Sequence, residues 1–219
     1  MKQKGLGNIV IFLFIFLTAV IIGYFMLKKE DRLPIYQPGD INPALVDESV
    51  RNNTNHHTLP FTLVNQDGEV ITEELVDDKI HVAAFFFTRC ATLCPKISES
   101  MSKVQMYFEG QSEPVLISHS VTPVMDSVPI LNRYAEKYKA NSDMWHLVTG
   151  EKPHIYELAR KSYFAVKDEG DGGLQDFIHT ENLVLVDREG RLRGFYDGTS
   201  SEEVGQMIID IETLQREYE

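Results

Sequence analysis

The amino-acid sequence predicts an α/β domain, with a central sheet flanked by helices, behind one apolar N-terminal segment. Apolar runs of strand length alternate with stretches whose apolar residues recur every three or four positions, the period of an amphipathic helix. Such alternation is typical of crossover units and a largely parallel sheet. The 219 residues, of which 43% are hydrophobic, are enough for one sizeable core but hardly for two domains.

The N-terminal segment, residues 8–27, is a run of twenty residues without charge, close to the length that crosses a bilayer as a helix. A cleaved signal peptide is the alternative, but its apolar region is usually shorter, and the charged residues 28–32 follow here without a small-x-small cleavage site. We therefore expect an uncleaved transmembrane anchor, with residues 1–7 as a short cytoplasmic N-terminus. Basic residues flank the run on both sides, so the orientation rests on the expected location of the domain and not on their count.

Residues 28–58 are rich in proline, asparagine and aspartate, a composition that predicts an extended tether, partly docked on the domain through Leu45 and Val46. The histidine pair His56 and His57 is expected to be solvated loop, with an accessory metal site as the alternative. The domain itself is predicted to span residues 59–219.

The elements of the domain follow in chain order. Gly68 occupies the hairpin position that needs a positive φ, and Pro95 suits a first helical turn, where its missing N–H would be unpaired anyway. Strands and helices are predicted in this order: a hairpin over 61–72, a strand over 81–87, a helix after Pro95, a strand over 115–121, a helix over 128–138, a strand over 145–148, a helix over 154–162, a hairpin over 182–196 and a closing helix from Ser201.

The charge of the chain excludes one class of partner. Beyond residues 1–32, the chain carries 16 basic against 31 acidic side chains. A domain so acidic is repelled by phosphate backbones and by anionic lipid heads. We therefore expect no nucleic-acid binding.

Both cysteines of the chain, Cys90 and Cys94, lie between the apolar run 81–87 and the helix that follows Pro95. At such a strand-to-helix turn, backbone N–H groups and the helix dipole favour thiolate over thiol. A purely structural disulfide is the alternative, but closing about five residues removes only about 2 kcal/mol of unfolded-state entropy. We therefore favour chemistry at this pair, either as a redox couple or as metal ligands.

Two sulfurs do not complete a structural zinc site, which normally takes four protein ligands. Soft thiolates select Cu(I), and two thiolates with one imidazole can hold copper in either oxidation state. Copper held by Cys90, Cys94 and one histidine is therefore the economical interpretation.

The sequence alone does not decide which histidine completes the site. Ligands in an open sheet gather beyond the carboxyl ends of its strands, which disfavours His81 at a strand start and His154 on a helix. His119 and His146 alternate in phase with strand residues and are expected to be half-buried sheet residues. His179 follows a glycine-rich loop and precedes a strand, so it is the favoured candidate.

Four stretches, in this order, resemble the Sco/SenC proteins: residues 87–95, 120–126, 145–150 and 179–180. The resemblance implies a thioredoxin-like α/β fold with a mixed central sheet, facing the periplasm or the intermembrane space. It further implies that Cys90, Cys94 and His179 bind Cu(I) or Cu(II), and that the protein helps to build the CuA centre of cytochrome c oxidase.

The chain departs from that family's usual pattern at four positions near the site. Where these proteins usually have a proline and an acidic residue after the first cysteine, this chain has Ala91 and Thr92. Thr122 replaces a strand-end aspartate, although Asp126 is retained, and Ile178 replaces an acidic residue before the histidine. Fewer carboxylates near a metal change the support of its ligands and its affinity.

Three functions follow as hypotheses. The first is delivery of copper to the copper-bearing subunit of cytochrome c oxidase, with a thiol reductant or copper donor as a further partner. The second is a thiol–disulfide reductant for that subunit, in which Cys90 attacks and Cys94 resolves. The third is a scaffold for oxidase assembly.

The location follows from two further features. The four-residue basic start leaves no room for an arginine-rich transit peptide, which favours a bacterial cytoplasmic membrane. A pair of cysteines poised between disulfide and metal is useful in an oxidising compartment. We therefore expect a single-pass protein of the inner membrane whose domain lies on the extracytoplasmic side.

Overall fold

The computed structural model describes residues 11–20, 32–166 and 180–219. Residues 11–20 are helical (α1), and Leu33–Glu219 forms one compact unit. Within the described ranges, no helix combines the length and the apolar character that a membrane span requires. The predicted anchor at 8–27 lies only partly inside these ranges.

Five strands make the central sheet: β3 His81–Phe86, β4 Val115–Ser120, β5 Trp145–Val148, β6 Asn182–Val186 and β7 Leu192–Asp197. Their order across the sheet is β5-β4-β3-β6-β7. β3, β4 and β5 are parallel, whereas β6 is antiparallel to both β3 and β7. The sheet is therefore mixed. The largely parallel sheet that the alternation predicts is wrong for the half that contains β6 and β7, because the predicted second hairpin adds two antiparallel pairings, β3 with β6 and β6 with β7.

Helices cover both faces of the sheet. They are α2 Leu93–Tyr107, α3 Val128–Tyr138, α4 Lys152–Glu157, which continues as a π-helical turn over Leu158–Ser162, and α5 Ser201–Glu217. The predicted helix over 154–162 therefore begins two residues earlier and widens in its second half. The other predicted helices match closely, since their apolar stripes are buried against the sheet.

The central strand β3 is buried on both faces, with successive side chains in different cores. Val82, Ala84 and Phe86 pack in the core that α2, α3 and α5 cover. Ala83 and Phe85 pack in the opposite core, beneath α4 and a two-stranded hairpin. The hairpin consists of β1 Thr62–Val64 and β2 Val70–Thr72, with Gly68 at φ +82° in its turn as predicted.

The described part of the predicted tether packs on the domain. Arg193 donates from Nε to the carbonyl of Pro34 (3.0 Å) and from Nη2 to that of Leu33 (2.7 Å). Tyr36 forms an isolated antiparallel bridge with Leu192, and Val46 is fully buried. Residues 33–58 therefore belong to the same compact unit as the rest of the domain.

The expectation of a solvated histidine pair is wrong for its first member. His56 is 3% exposed; its Nε2 lies 2.8 Å from the carbonyl oxygen of Ser162, and its ring packs on Phe164 at 4.5 Å. His57 is exposed. The folded domain supplies a polar partner and an aromatic surface to His56, neither of which is visible in the local sequence.

Candidate thiol and metal site

The cysteine turn begins where β3 ends. The N–H of Cys90 donates to the carbonyl of Phe87 at 3.2 Å, which closes a turn over residues 87–90. Helix α2 then starts at Leu93, so Pro95 is its third residue, in the first turn where no intrahelical donor is required. The turn therefore presents Cys90 to the N-terminus of α2, at the carboxyl end of two parallel strands.

The two cysteines differ in exposure and are both free thiols. Cys94 is 4% exposed and packs in the core beneath α2, whereas Cys90 is partly exposed. The backbone N–H of Cys94 donates to Cys90 Sγ at 3.3 Å. An amide of the first helical turn therefore points at the accessible sulfur, as expected for a thiolate at a helix N-terminus.

This arrangement separates the acidities of the two thiols. Burial disfavours ionisation of Cys90, but the amides of Cys94, Thr92 and Leu93 and the Cys94 thiol outweigh it and lower the pKa of Cys90 to about 6. Burial raises the pKa of Cys94 to about 12, and the neighbouring Cys90 adds to this effect. At neutral pH, Cys90 is the thiolate and Cys94 the thiol.

A buried carboxylate supports the turn. Asp126 is fully buried, and its oxygens accept hydrogen bonds from Thr88 on the cysteine turn, from Ser120 at the end of β4 and from Thr122 on its own loop. In the sequence, Asp126 is a residue retained from the family's usual pattern, with no role assigned to it. The signal for a role in the sequence was the presence of hydroxyl residues near the aspartate, Ser120 and Thr122. Only the fold brings Thr88 to these residues and to Asp126.

The predicted third ligand, His179, lies outside the described residues. Among the described ranges, no group of three histidine, cysteine or acidic side chains is placed to hold a metal ion. The fit of copper therefore rests on the donor set of the turn, two soft sulfurs four residues apart in sequence, of which one is already stabilised as a thiolate.

The other strand histidines lie away from the cysteine pair. His119 is fully buried rather than half-buried, because its ring stacks on Phe85 at 4.8 Å and its Nδ1 lies 3.1 Å from the Ala84 carbonyl oxygen. His146 is 6% exposed. Since Phe85 packs in the core opposite to that of Cys94, His119 and the buried thiol belong to different faces of the sheet.

Comparison with known proteins finds a family model and a relative that point to the same family. The family model described as SCO1/SenC matches residues 49–215. The SCO1 protein homolog of Bacillus subtilis is 30% identical over 168 residues, which are 76% of this chain and 86% of that protein.

Solved structures agree with this assignment. BsSco, described as a member of the Sco family of cytochrome c oxidase assembly proteins that has a disulfide switch, superposes with a TM-score of 0.62 at 30% identity, over 74% of this chain and 95% of BsSco. A SCO1/SenC family lipoprotein from Bacillus anthracis gives a TM-score of 0.60 at 27% identity, over 75% and 98% of the two chains. The expected thioredoxin-like fold with a mixed sheet and flanking helices is confirmed, and the chain belongs to the SCO1/SenC family.

Proposed function

We propose that this protein is a membrane-anchored copper-binding protein that delivers copper to the CuA centre during cytochrome c oxidase assembly. The observation that carries the proposal is the pair of free thiols at the strand-to-helix turn, one of them partly exposed and stabilised as a thiolate. Membership of a family with a described role in oxidase assembly supports it. A relative from Stutzerimonas stutzeri, 27% identical over 162 residues, carries copper binding in its name.

In this proposal, Cys90, Cys94 and His179 hold the ion as cargo. Both sulfurs must be reduced to accept it, and Cys94 must lose its proton as the ion binds, because burial keeps that thiol protonated otherwise. Two thiolates and an imidazole suit Cu(I) and Cu(II) alike. Handover then proceeds by ligand exchange with cysteines of the copper-bearing oxidase subunit.

The proposed membrane topology is based on the order of segments in the sequence. Residues 1–7 are cytoplasmic and residues 8–27 form the single span. Residues 28–58, of which 33–58 pack on the domain, follow the span, and residues 59–219 form the domain on the extracytoplasmic side of a bacterial inner membrane. The B. anthracis relative is described as a lipoprotein, which supports membrane association. A thiol reductant or copper donor acts upstream.

Metal titration of the reduced full-length chain in detergent tests this function. We expect about one copper ion per chain for Cu(I) and for Cu(II), no tight binding in Cys90→Ser or Cys94→Ser, and strong weakening in His179→Ala. His57→Ala is the matched control, since His57 is an exposed histidine far from His179 in the sequence. Wild-type affinity in His179→Ala would contradict the three-ligand site.

A second candidate is a thiol–disulfide reductant that keeps oxidase cysteines reduced. The separation of the two thiol pKa values favours it, because a low-pKa, accessible Cys90 attacks and a protonated, buried Cys94 is held in reserve to resolve. Reduction of a mixed disulfide needs no imidazole. Activity that persists in His179→Ala but is lost in either cysteine variant would favour this function over copper delivery.

A further inference from the structure

The buried carboxylate of Asp126 links two loops at the carboxyl end of the sheet. It accepts four hydrogen bonds: from Ser120 Oγ (2.6 Å), from Thr122 Oγ1 (2.9 Å), from Thr88 Oγ1 (2.6 Å) and from the Thr88 N–H (3.2 Å). All four groups donate and the carboxylate only accepts, as an ionised carboxylate does. A fully buried carboxylate tolerates its burial only through such bonds.

These bonds are of two kinds. Those from Ser120 and Thr122 stay within the segment that leaves β4, together with the N–H of Asp126, which donates to the Thr122 carbonyl at 2.9 Å. Those from Thr88 cross to the turn that leaves β3. A backbone bond from Val121 to the Phe86 carbonyl (2.9 Å) runs beside them, so the two strand ends are joined at the site.

Thr88 lies inside the turn that ends at Cys90. The same turn is closed by the Cys90 N–H at one end, and Cys90 Sγ then accepts the N–H of Cys94. Fixing Thr88 therefore restricts where Cys90 Sγ can lie relative to α2. We propose that Asp126 is a positioning residue, which acts through Thr88 to hold the accessible sulfur against the buried one.

This inference rests on the proposed role of Cys90 as a functional thiol. Both a disulfide and a two-sulfur metal site require the sulfurs to meet in a narrow geometry. A turn already held in place loses less conformational freedom when they meet, so the effective concentration of one thiol at the other is higher. Loosening the turn should therefore disfavour both products.

A matched pair of variants tests the inference. Thr88→Val and Ser120→Ala each remove one hydroxyl that donates to Asp126 at 2.6 Å, but only the first breaks a bond to the cysteine turn. The readout is the equilibrium with glutathione, in which the Cys90 and Cys94 thiols form one S–S bond while glutathione disulfide is reduced to two glutathione thiols.

We expect Thr88→Val to lower this equilibrium constant roughly fivefold, the factor one hydrogen bond carries, and Ser120→Ala to leave it unchanged. Thr88→Ser keeps the hydroxyl and should restore the wild-type value. Asp126→Asn should shift the constant at least as far as Thr88→Val; should it fail to fold, the threonine variants still decide. Equal shifts in Thr88→Val and Ser120→Ala, or no shift in either, would overturn the inference.

Copper provides a second readout. In the Cu(II)-loaded full chain, the thiolate-to-copper absorption band should move in Thr88→Val and stay in place in Ser120→Ala. The glutathione equilibrium needs no metal, so a shift there in a protein that binds no copper would support the positioning role while contradicting copper delivery.

Discussion

Two sites in this domain contain groups whose charged forms are disfavoured by burial. One is the cysteine turn at the end of β3, and the other is the pair of imidazoles of His81 and His119. At the turn, amides of the first helical residues offset burial, and the pKa of Cys90 falls to about 6. At the imidazoles, one backbone contact each, to Lys79 for His81 and to Ala84 for His119, does not outweigh burial, which lowers the pKa of each to about 4. The same domain therefore holds a charged sulfur at one site and neutral histidines at another.

The comparison teaches that burial alone does not decide ionisation in this domain. His119 contacts Phe85 and Tyr163 by its ring, and its Nε2 has no hydrogen-bond partner among the described residues. Cys90 instead has backbone donors that need no reorganisation when it ionises. The donors supplied by the fold, together with the depth of the group, set the charge state.

The largest expected effect concerns the histidines. Because the folded pKa lies below the unfolded value of about 6.5, unfolding takes up a proton, so stability is fully present above about pH 6.5 and is lost as the pH falls toward about 4. Each imidazole should contribute a loss of about 3 kcal/mol in the free energy of unfolding.

Urea unfolding at pH 7, 5.5 and 4.5 measures this loss, and His119→Phe isolates one histidine from the carboxylates that titrate below it. We expect the variant to lose about 2 kcal/mol less than the wild type between pH 7 and pH 4.5, since the full difference develops only below the folded pKa of about 4. A parallel pH dependence of the two proteins would mean that His119 is not held neutral.

The next effect concerns the two thiols. In the reduced, metal-free protein at pH 7, iodoacetamide should alkylate Cys90 about a hundredfold faster than Cys94, since a much larger thiolate fraction outweighs the lower nucleophilicity of a low-pKa sulfur. The Cys90 rate should rise through about pH 6 and level off above it. Peptide mass spectrometry over pH 5–9 measures both rates.

A Cys90 rate that still climbs between pH 8 and pH 9 would show that the helical amides do not compensate its burial. Cys94→Ser, which leaves the turn and the amides in place, is the control for any contribution of disulfide formation during the reaction.

The smallest effect separates the amides from the neighbouring thiol. The side chain of Cys94 is one of the groups that lower the pKa of Cys90. In Cys94→Ala, the midpoint of the Cys90 alkylation profile should rise by a fraction of a unit and stay below the ordinary value of about 8.5. A return to that ordinary value would assign the whole shift to the thiol rather than to the helix.

Much of the fold was predictable because its patterns are local. The helix over Val128–Tyr138 and the strand over Trp145–Val148 have the predicted bounds, since apolar periodicity is written into each segment. Gly68 and Gly190 mark their hairpin turns with positive φ, as only a few residue types allow. The position of the cysteine turn was predictable for the same reason, because an apolar strand pattern ends before it and a helical pattern begins after it.

The remainder depends on contacts that only the folded chain creates. Asp126 meets Thr88 across 38 positions of sequence, and His56 meets Ser162 across 106. The complete burial of His119 depends on a stack with a neighbouring strand rather than on its own alternation. His179 lies outside the described residues, so its role as a ligand stays a prediction.

The unequal exposure of the two sulfurs gives any exchange an order of events. An incoming thiol or metal donor reaches Cys90 first, because Cys94 is closed off beneath the helix. By the same path, the last bond to break on departure belongs to the outer sulfur, after the inner one has let go. Exchange of a thiol or a metal ion at this site therefore begins and ends at Cys90.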